Sequence, residues 1–215
     1  MTLSGGADIA LALQAVGELL EAAGEAYAVV VLGGAALNLL GVVERATADV
    51  DILAFAPPGP ALAVAGSGDA SSSPETASDL QQPPEPLPPA LVEAVETVAR
   101  DLGLDRRWMN TGPALQWRAG LPPGLAERVH WRAYAALRVG LVDRYDLVFF
   151  KLFASADATG PRSVHYQDLL ALRPSPPDLA AAAAWVRTQD ASPAFADVLD
   201  RVVAHVRRDL RHAAA

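Results

Sequence analysis

The sequence predicts an α/β (α+β) fold, with a mixed sheet flanked by helices and a helical C-terminal region after it. Three observations carry this expectation. Short, β-branched apolar runs at Ala26–Leu32 and Ala48–Phe55 are the length of buried strands. Residues 128–142 read as further strand segments with turns. From Asp143 onward every periodic stretch repeats at helical spacing.

Taken in order, Ile9–Ala22 places Ile9, Leu13, Val16 and Leu20 on one helical face, with Gly24 as the stop. The run Ala26–Leu32 is the first strand. Gly34–Leu40 is a short helix closed by Gly41, and Ala48–Phe55 is the second strand. The stretch Pro57–Pro89 holds nine of the seventeen prolines together with Gly66–Ser73, a glycine- and serine-rich run. Such a segment buries too little apolar surface to offset its ordering entropy, so it reads as a flexible insertion.

Periodicity returns in Pro89–Leu102 through Leu91, Val95, Val98 and Leu102. Strand segments follow at Arg107–Asn110 and Arg128–Val142, separated by Gly120–Gly124. The remaining helices are Asp143–Ala156, Val164–Leu172, Pro176–Arg187 capped by Ser175, and Pro193–Leu210 with arginines near its end. The domain reading is an α/β unit over 1–142 with the insertion at 57–89, then a helical region over 143–215.

Composition narrows the function classes. The 215 residues suffice for a real core. There is no cysteine, which excludes disulfides and thiolate metal sites and fits a reducing, cytoplasmic compartment. The N-terminal stretch has no basic region before its apolar residues, unlike a signal peptide, and no apolar run is long enough to span a bilayer, so no membrane partner is expected. The formal charge of −8 argues against a broad nucleic-acid surface, and DNA is not an expected partner. A local basic groove is compatible with that charge, because the acids concentrate in the first half. Sixteen arginines stand against a single lysine, Lys151. Either chance left that lysine, or its compact point charge does what an arginine fork does not.

The chemistry concentrates in Val31–Leu53. Asp49 and Asp51 are two apart, so on a strand both carboxylates face one side while Val50 and Ile52 face the core. Paired acids repel, more so when buried, and a divalent cation between them relieves that; the bland alternative is a solvated pair at a strand end. Gly33 and Gly34 follow an apolar run, where a strand can turn into a helix with free amides suited to phosphate; the bland alternative is a tight turn. Arg45 either contacts phosphate or anchors the aspartates through an ion pair, and Thr47 fixes the loop by bonding its backbone. Lys151, among Phe149, Phe150, Leu152 and Phe153, reaches either a triphosphate or Asp168. His165 and Asp168, three apart, share a helical face; the spacing is that of a metal-ligand pair, but no other histidine clusters with them, and a polar contact near the site is the preferred reading.

The pattern Gly33-Gly34-x-Ala36-Leu37, Gly41, Arg45-x-Thr47-x-Asp49-x-Asp51 resembles the minimal nucleotidyltransferases, nearest the AbiEii-like branch found as toxins in type IV toxin–antitoxin systems. A second block, Asp146–Ala154 followed by His165–Leu172, resembles that branch too: Lys151 matches its helix lysine, Asp168 its later aspartate, and His165 stands where another aspartate is often found. The segment Trp108-x-Asn110 is similar to a subgroup of small proteins in the same superfamily.

The resemblance implies a nucleotidyltransferase-like mixed sheet and transfer of a nucleoside monophosphate from a triphosphate, with Mg²⁺ as cofactor. It assigns metal binding to Asp49 and Asp51, nucleotide binding to Gly33, Gly34, Arg45, Thr47 and Lys151, and catalysis to Asp49, Asp51, Lys151 and Asp168. It also implies a tRNA or protein acceptor and an antitoxin partner. Two alternatives stand beside it: a non-catalytic nucleotide- or partner-binding protein on the same fold, and a small-molecule, aminoglycoside-type nucleotidyltransferase. Such enzymes often carry a third carboxylate on a neighbouring strand as general base. Residues 128–142 supply none, leaving only Glu127 at an edge and Asp143 after the strand.

Overall fold

The computed structural model describes residues 2–57, 80–157 and 162–213. They form a mixed α/β structure around one five-stranded sheet. In chain order the principal elements are α1 (Gly6–Ala22), β1 (Tyr27–Leu32), α2 (Gly33–Leu39), β2 (Val50–Ala56), α3 (Pro89–Leu102) and β3 (Met109–Asn110). There follow α4 (Gln116–Ala119), β4 (His130–Tyr134), β5 (Leu137–Leu141), α5 (Arg144–Asp157), α6 (Val164–Leu172), α7 (Pro176–Gln189) and α8 (Pro193–Ala213).

The strand order is β3-β2-β1-β5-β4. β1 is antiparallel to β2 and parallel to β5; β2 and β3 are parallel, and β4 and β5 antiparallel. A sheet buried on both faces asks for continuous apolar strands, and YAVVVL in β1 supplies one. Val29 and Val31 join an apolar cluster with Ile9, Leu13, Leu91 and Val95 of α1 and α3. Val30 and Leu32 join the opposite cluster with Leu147, Phe149, Leu152 and Leu169 of α5 and α6. The C-terminal helices therefore cover one face of the sheet directly and share its core.

The register shifts between Val30 and Val31, which pair with Ala54 and Ile52. Val50 and Ile52 lie in the α1/α3 cluster. Asp51, between them and paired with Leu32, therefore faces the side covered by α5 and α6.

Several boundaries differ from expectation. The second strand begins at Val50, so Ala48 and Asp49 lie before it. There the chain is held by a bridge between Leu3 and Thr47 instead of by the sheet. The expected strand Arg107–Asn110 shrinks to Met109–Asn110. Arg128 belongs to a 3-10 turn, Ala126–Arg128, where its guanidinium is drawn to the buried Asp146 at 2.6 and 2.9 Å. The 3-10 turn Gly112–Leu115 and the following α4 were not expected, because Gly112-Pro113 reads as a breaker and four-residue elements have no measurable periodicity.

Helix α1 begins three residues before its expected start, while α7 and α8 run two and three residues past their expected ends. Ser175 caps α7 as expected and exchanges reciprocal bonds with Asp178. Most of the proposed flexible insertion, residues 58–79, lies outside the described residues. Its far end is anchored: Gln81 pairs with Phe55 in both directions, and Leu87 packs on the α1/α3 cluster. Among the described residues no helix is long and apolar enough to cross a membrane.

Candidate functional site

A cavity of about 490 Å³ opens where β1 ends, within the size range of small-molecule sites. Its floor is the β1–α2 junction at Leu32–Gly34, with the loop Arg45–Asp49 and Asp51 of β2 beside it. Pro113 and Gln116 form one side. Phe150, Lys151, Phe153 and Ala154 of α5, with Val164 and His165 of α6, form the other. The two sequence blocks, whose nearest ends are Asp51 and Asp146, thus meet across one cavity. Each site residue named from the sequence lines it except Asp168.

Gly33 is required twice over. Its φ of +78° belongs to the left-handed region, and a Cβ there would sit 2.5 Å from Oδ2 of Asp51. The Asp51 carboxylate therefore rests on the bare backbone where α2 starts, a position open only to glycine.

Burial, followed by the nearby charge of Asp49, pushes Asp51 up to about 6. An N–H from Asn110 and the charge of Lys151 pull the other way and do not prevail. Asn110 is paired with Asp51 across β2 and β3, and its Nδ2 donates to Oδ1 of Asp51 at 3.2 Å. Its own Oδ1 accepts from the backbone N–H of Gly112 at 2.9 Å.

Asp168 joins the two blocks. It is 2 % exposed and accepts from Lys151 Nζ at 2.7 Å. It also accepts from Arg45 in a fork, Nε to Oδ1 at 3.1 Å and Nη2 to Oδ2 at 2.7 Å. Both of its oxygens are thereby engaged by cations. It stands behind the cavity wall and presents Lys151 and Arg45 to the cavity, which makes it a positioning residue. The two readings of Lys151 therefore coexist: the lysine is ion-paired, and it still lines the cavity.

The Arg45 loop has further anchors. Asn38, buried in α2, accepts from Arg45 N at 3.1 Å and donates to Gly34 O at 2.9 Å. Thr47 donates to the carbonyl of Asp49 at 3.3 Å. Asn38 escaped sequence reasoning, although it is the one polar side chain in the apolar run Gly33–Leu40. Gln116 escaped, and Asn110 stood out only within the Trp108-x-Asn110 resemblance, because their places depend on which strand and loop lie beside β2.

His165 lines the cavity, and its Nδ1 is buried without a hydrogen-bond partner. Burial first, then the charges of Lys151 and Arg45 against the opposing Asp168, hold its pKa below the ordinary histidine value. A metal site shared by His165 and Asp168 does not form, because Asp168 is committed to the two cations. Neither candidate third carboxylate reaches the cavity. Glu127 is exposed, and Asp143 pairs with His130 at 2.6 Å and accepts from Tyr145 N at 2.7 Å.

The chain matches no family model, no curated protein and no solved structure. The site's geometry offers a carboxylate pair, two cations on one anchored acid, a glycine turn, and an aromatic wall. Among the described residues no three acids or histidines cluster as a metal site.

Three outcomes follow from these contacts. A carboxyl held near 6 in the folded protein against 3.8 ordinarily removes stability as pH rises through that interval. Asp51→Asn is therefore expected to stabilise the metal-free protein above pH 6 by about 3 kcal/mol, and by almost nothing below pH 4, in urea melts across that range. Asp168→Asn strips the counter-charge from two cations and should lose about 3 kcal/mol in the same melts. Gly33→Ala should lose about 1–2 kcal/mol from the backbone conformation alone; circular dichroism melts against wild type read this directly.

Proposed function

We propose that this protein is a Mg²⁺-dependent nucleotidyltransferase with a nucleotidyltransferase-like α/β fold, moving a nucleoside monophosphate from a triphosphate to a hydroxyl of an RNA or protein acceptor. The observation that carries the reading is the meeting of Asp49 and Asp51 with Lys151, Arg45 and the Gly33–Gly34 backbone on one cavity.

The donor set suits the ion. Asp51 is pushed up to about 6 by burial and by Asp49, so the pair lacks a positive neighbour close enough to satisfy it. Two carboxylate groups with room for water and phosphate oxygens match the hard, oxygen-seeking character of Mg²⁺. When bound, the ion screens triphosphate charge and lowers the acceptor hydroxyl's pKa.

The chain's own residues do the rest. Arg45 and Lys151, held in place by Asp168, draw the anionic phosphates to the cavity. Gly33 and Gly34 at the start of α2 line the same cavity without side chains of their own. Phe150 and Phe153, braced on Trp185 at ring separations of 5.6 and 6.5 Å, give an apolar wall for a base. In the transfer, the acceptor oxygen bonds to the α-phosphorus, the bond from that phosphorus to the bridging oxygen breaks, and pyrophosphate leaves with the electron pair. The hydroxyl proton passes to solvent. The toxin-like part of the reading, with an antitoxin as partner, draws its support from the resemblance of the two sequence blocks.

A second reading has one observation in its favour. Asn110 fills the place beside Asp51 on the adjoining strand, where an additional acid would serve as base. On that reading the cavity binds a nucleotide and transfers nothing.

The test is transfer from the four labelled triphosphates with Mg²⁺, using cell RNA and, separately, cell protein as acceptors. Label on one acceptor that falls at least a hundredfold in Asp49→Asn and Asp51→Asn supports transfer and names the acceptor class. Triphosphate binding without label would favour the second reading, and undiminished transfer by either variant would remove the carboxylates from the chemistry.

A further inference from the structure

Asn110 is held in one orientation. Its Oδ1 accepts from the Gly112 N–H at 2.9 Å. A flipped amide would place its NH₂ group against that N–H, donor against donor. Nδ2 must therefore face Asp51, and it donates to Oδ1 there at 3.2 Å. A group that presents N–H cannot ligate a cation, and its positive hydrogens oppose a cation approaching from the same direction. The lone pair of Asp51 that points toward β3 is thus taken.

Oδ2 of Asp51 points elsewhere, toward the Gly33 backbone at the cavity floor. The other acids are also spoken for: Asp168 by Lys151 and Arg45, and Asp143 by His130 and the Tyr145 N–H. A two-ion site needs bridging oxygens and a further ligand for the second ion, with the ions about 3.5–4 Å apart.

We propose that this site takes a single divalent cation, held by Asp49 and Oδ2 of Asp51, and that Asn110 is the residue that excludes a second. The inference rests on the nucleotidyltransferase reading and goes beyond it in assigning the ion count to one side chain. Replacing Asn110 by aspartate keeps an acceptor for the Gly112 N–H and turns the donor facing Asp51 into a third acidic ligand.

The test counts Mn²⁺ by electron paramagnetic resonance on the full chain, with a non-hydrolysable α,β-methylene triphosphate present. Wild type is expected to bind one Mn²⁺ per chain. Asn110→Asp is expected to bind two, with the line broadening of a spin-coupled pair. Two ions on wild type would overturn the proposal, and so would a folded Asn110→Asp that still binds one. Should that variant not fold, the wild-type count decides alone. Asp51→Asn separates the two levels of the argument: Mn²⁺ binding unchanged in that variant, or absent from wild type, would overturn the underlying metal reading and this inference with it.

Discussion

The site depends on the double ion pair at Asp168. One buried carboxylate holds Lys151 of α5 and Arg45 of the loop after α2, residues separated by more than a hundred positions. Without it the helical region would still cover the sheet through apolar contact, since Phe149, Leu152 and Leu169 share a core with Val30 and Leu53. That contact is non-directional and would not orient two cations toward a common space. A buried pair of this kind contributes little net stability relative to a well-packed apolar substitute. What it supplies is position: two long, otherwise mobile side chains are held where an anion would need them.

The carboxylate pair shows the opposite balance. Asp51 is half-buried beside Asp49, with an amide N–H and the charge of Lys151 in partial compensation. Nothing in folding favours that arrangement. The surrounding structure enforces it, through the strand pairing of Leu32 with Asp51 and the bare backbone of Gly33 beneath the carboxylate. A chain selected for stability alone would place an amide or an apolar residue there. Destabilising groups held this firmly are characteristic of sites that bind or react.

The features legible in the sequence were those that repeat or sit close together. Branched runs gave β1 and β2, and helical periodicity gave α1, α3 and α5–α8. Asp49 and Asp51 both line one cavity, but Asp49 does so from the loop before β2 and not from a shared strand face. Less legible was whatever depends on contacts between distant residues. Met109–Asn110 is only two residues long, and its meaning comes from lying parallel to β2 fifty-nine positions earlier. The anchor that puts it there is Trp108, fully buried, whose Nε1 donates to Val95 O at 3.1 Å. Likewise Asn38 reads locally as one polar residue in an apolar helix. Only the fold reveals that it ties the Arg45 loop to the glycine turn.

On the proposed reading, the charges around the cavity constrain how a nucleotide would enter. Three carboxylates, at Asp49, Asp51 and Asp168, stand against two cations, Arg45 and Lys151, so the ionised site is left with one net negative charge. A free triphosphate, strongly anionic, would meet that excess directly, and the low dielectric of a half-enclosed cavity would magnify the repulsion. A triphosphate carrying a divalent ion reverses the sign at the carboxylate end and leaves Arg45 and Lys151 to meet the remaining phosphate charge. Asn110 sharpens this, because its N–H satisfies one oxygen of Asp51 without adding any charge to the site. On electrostatic grounds the ion and the nucleotide belong together, each removing the main obstacle to binding the other, and their affinities should be positively coupled.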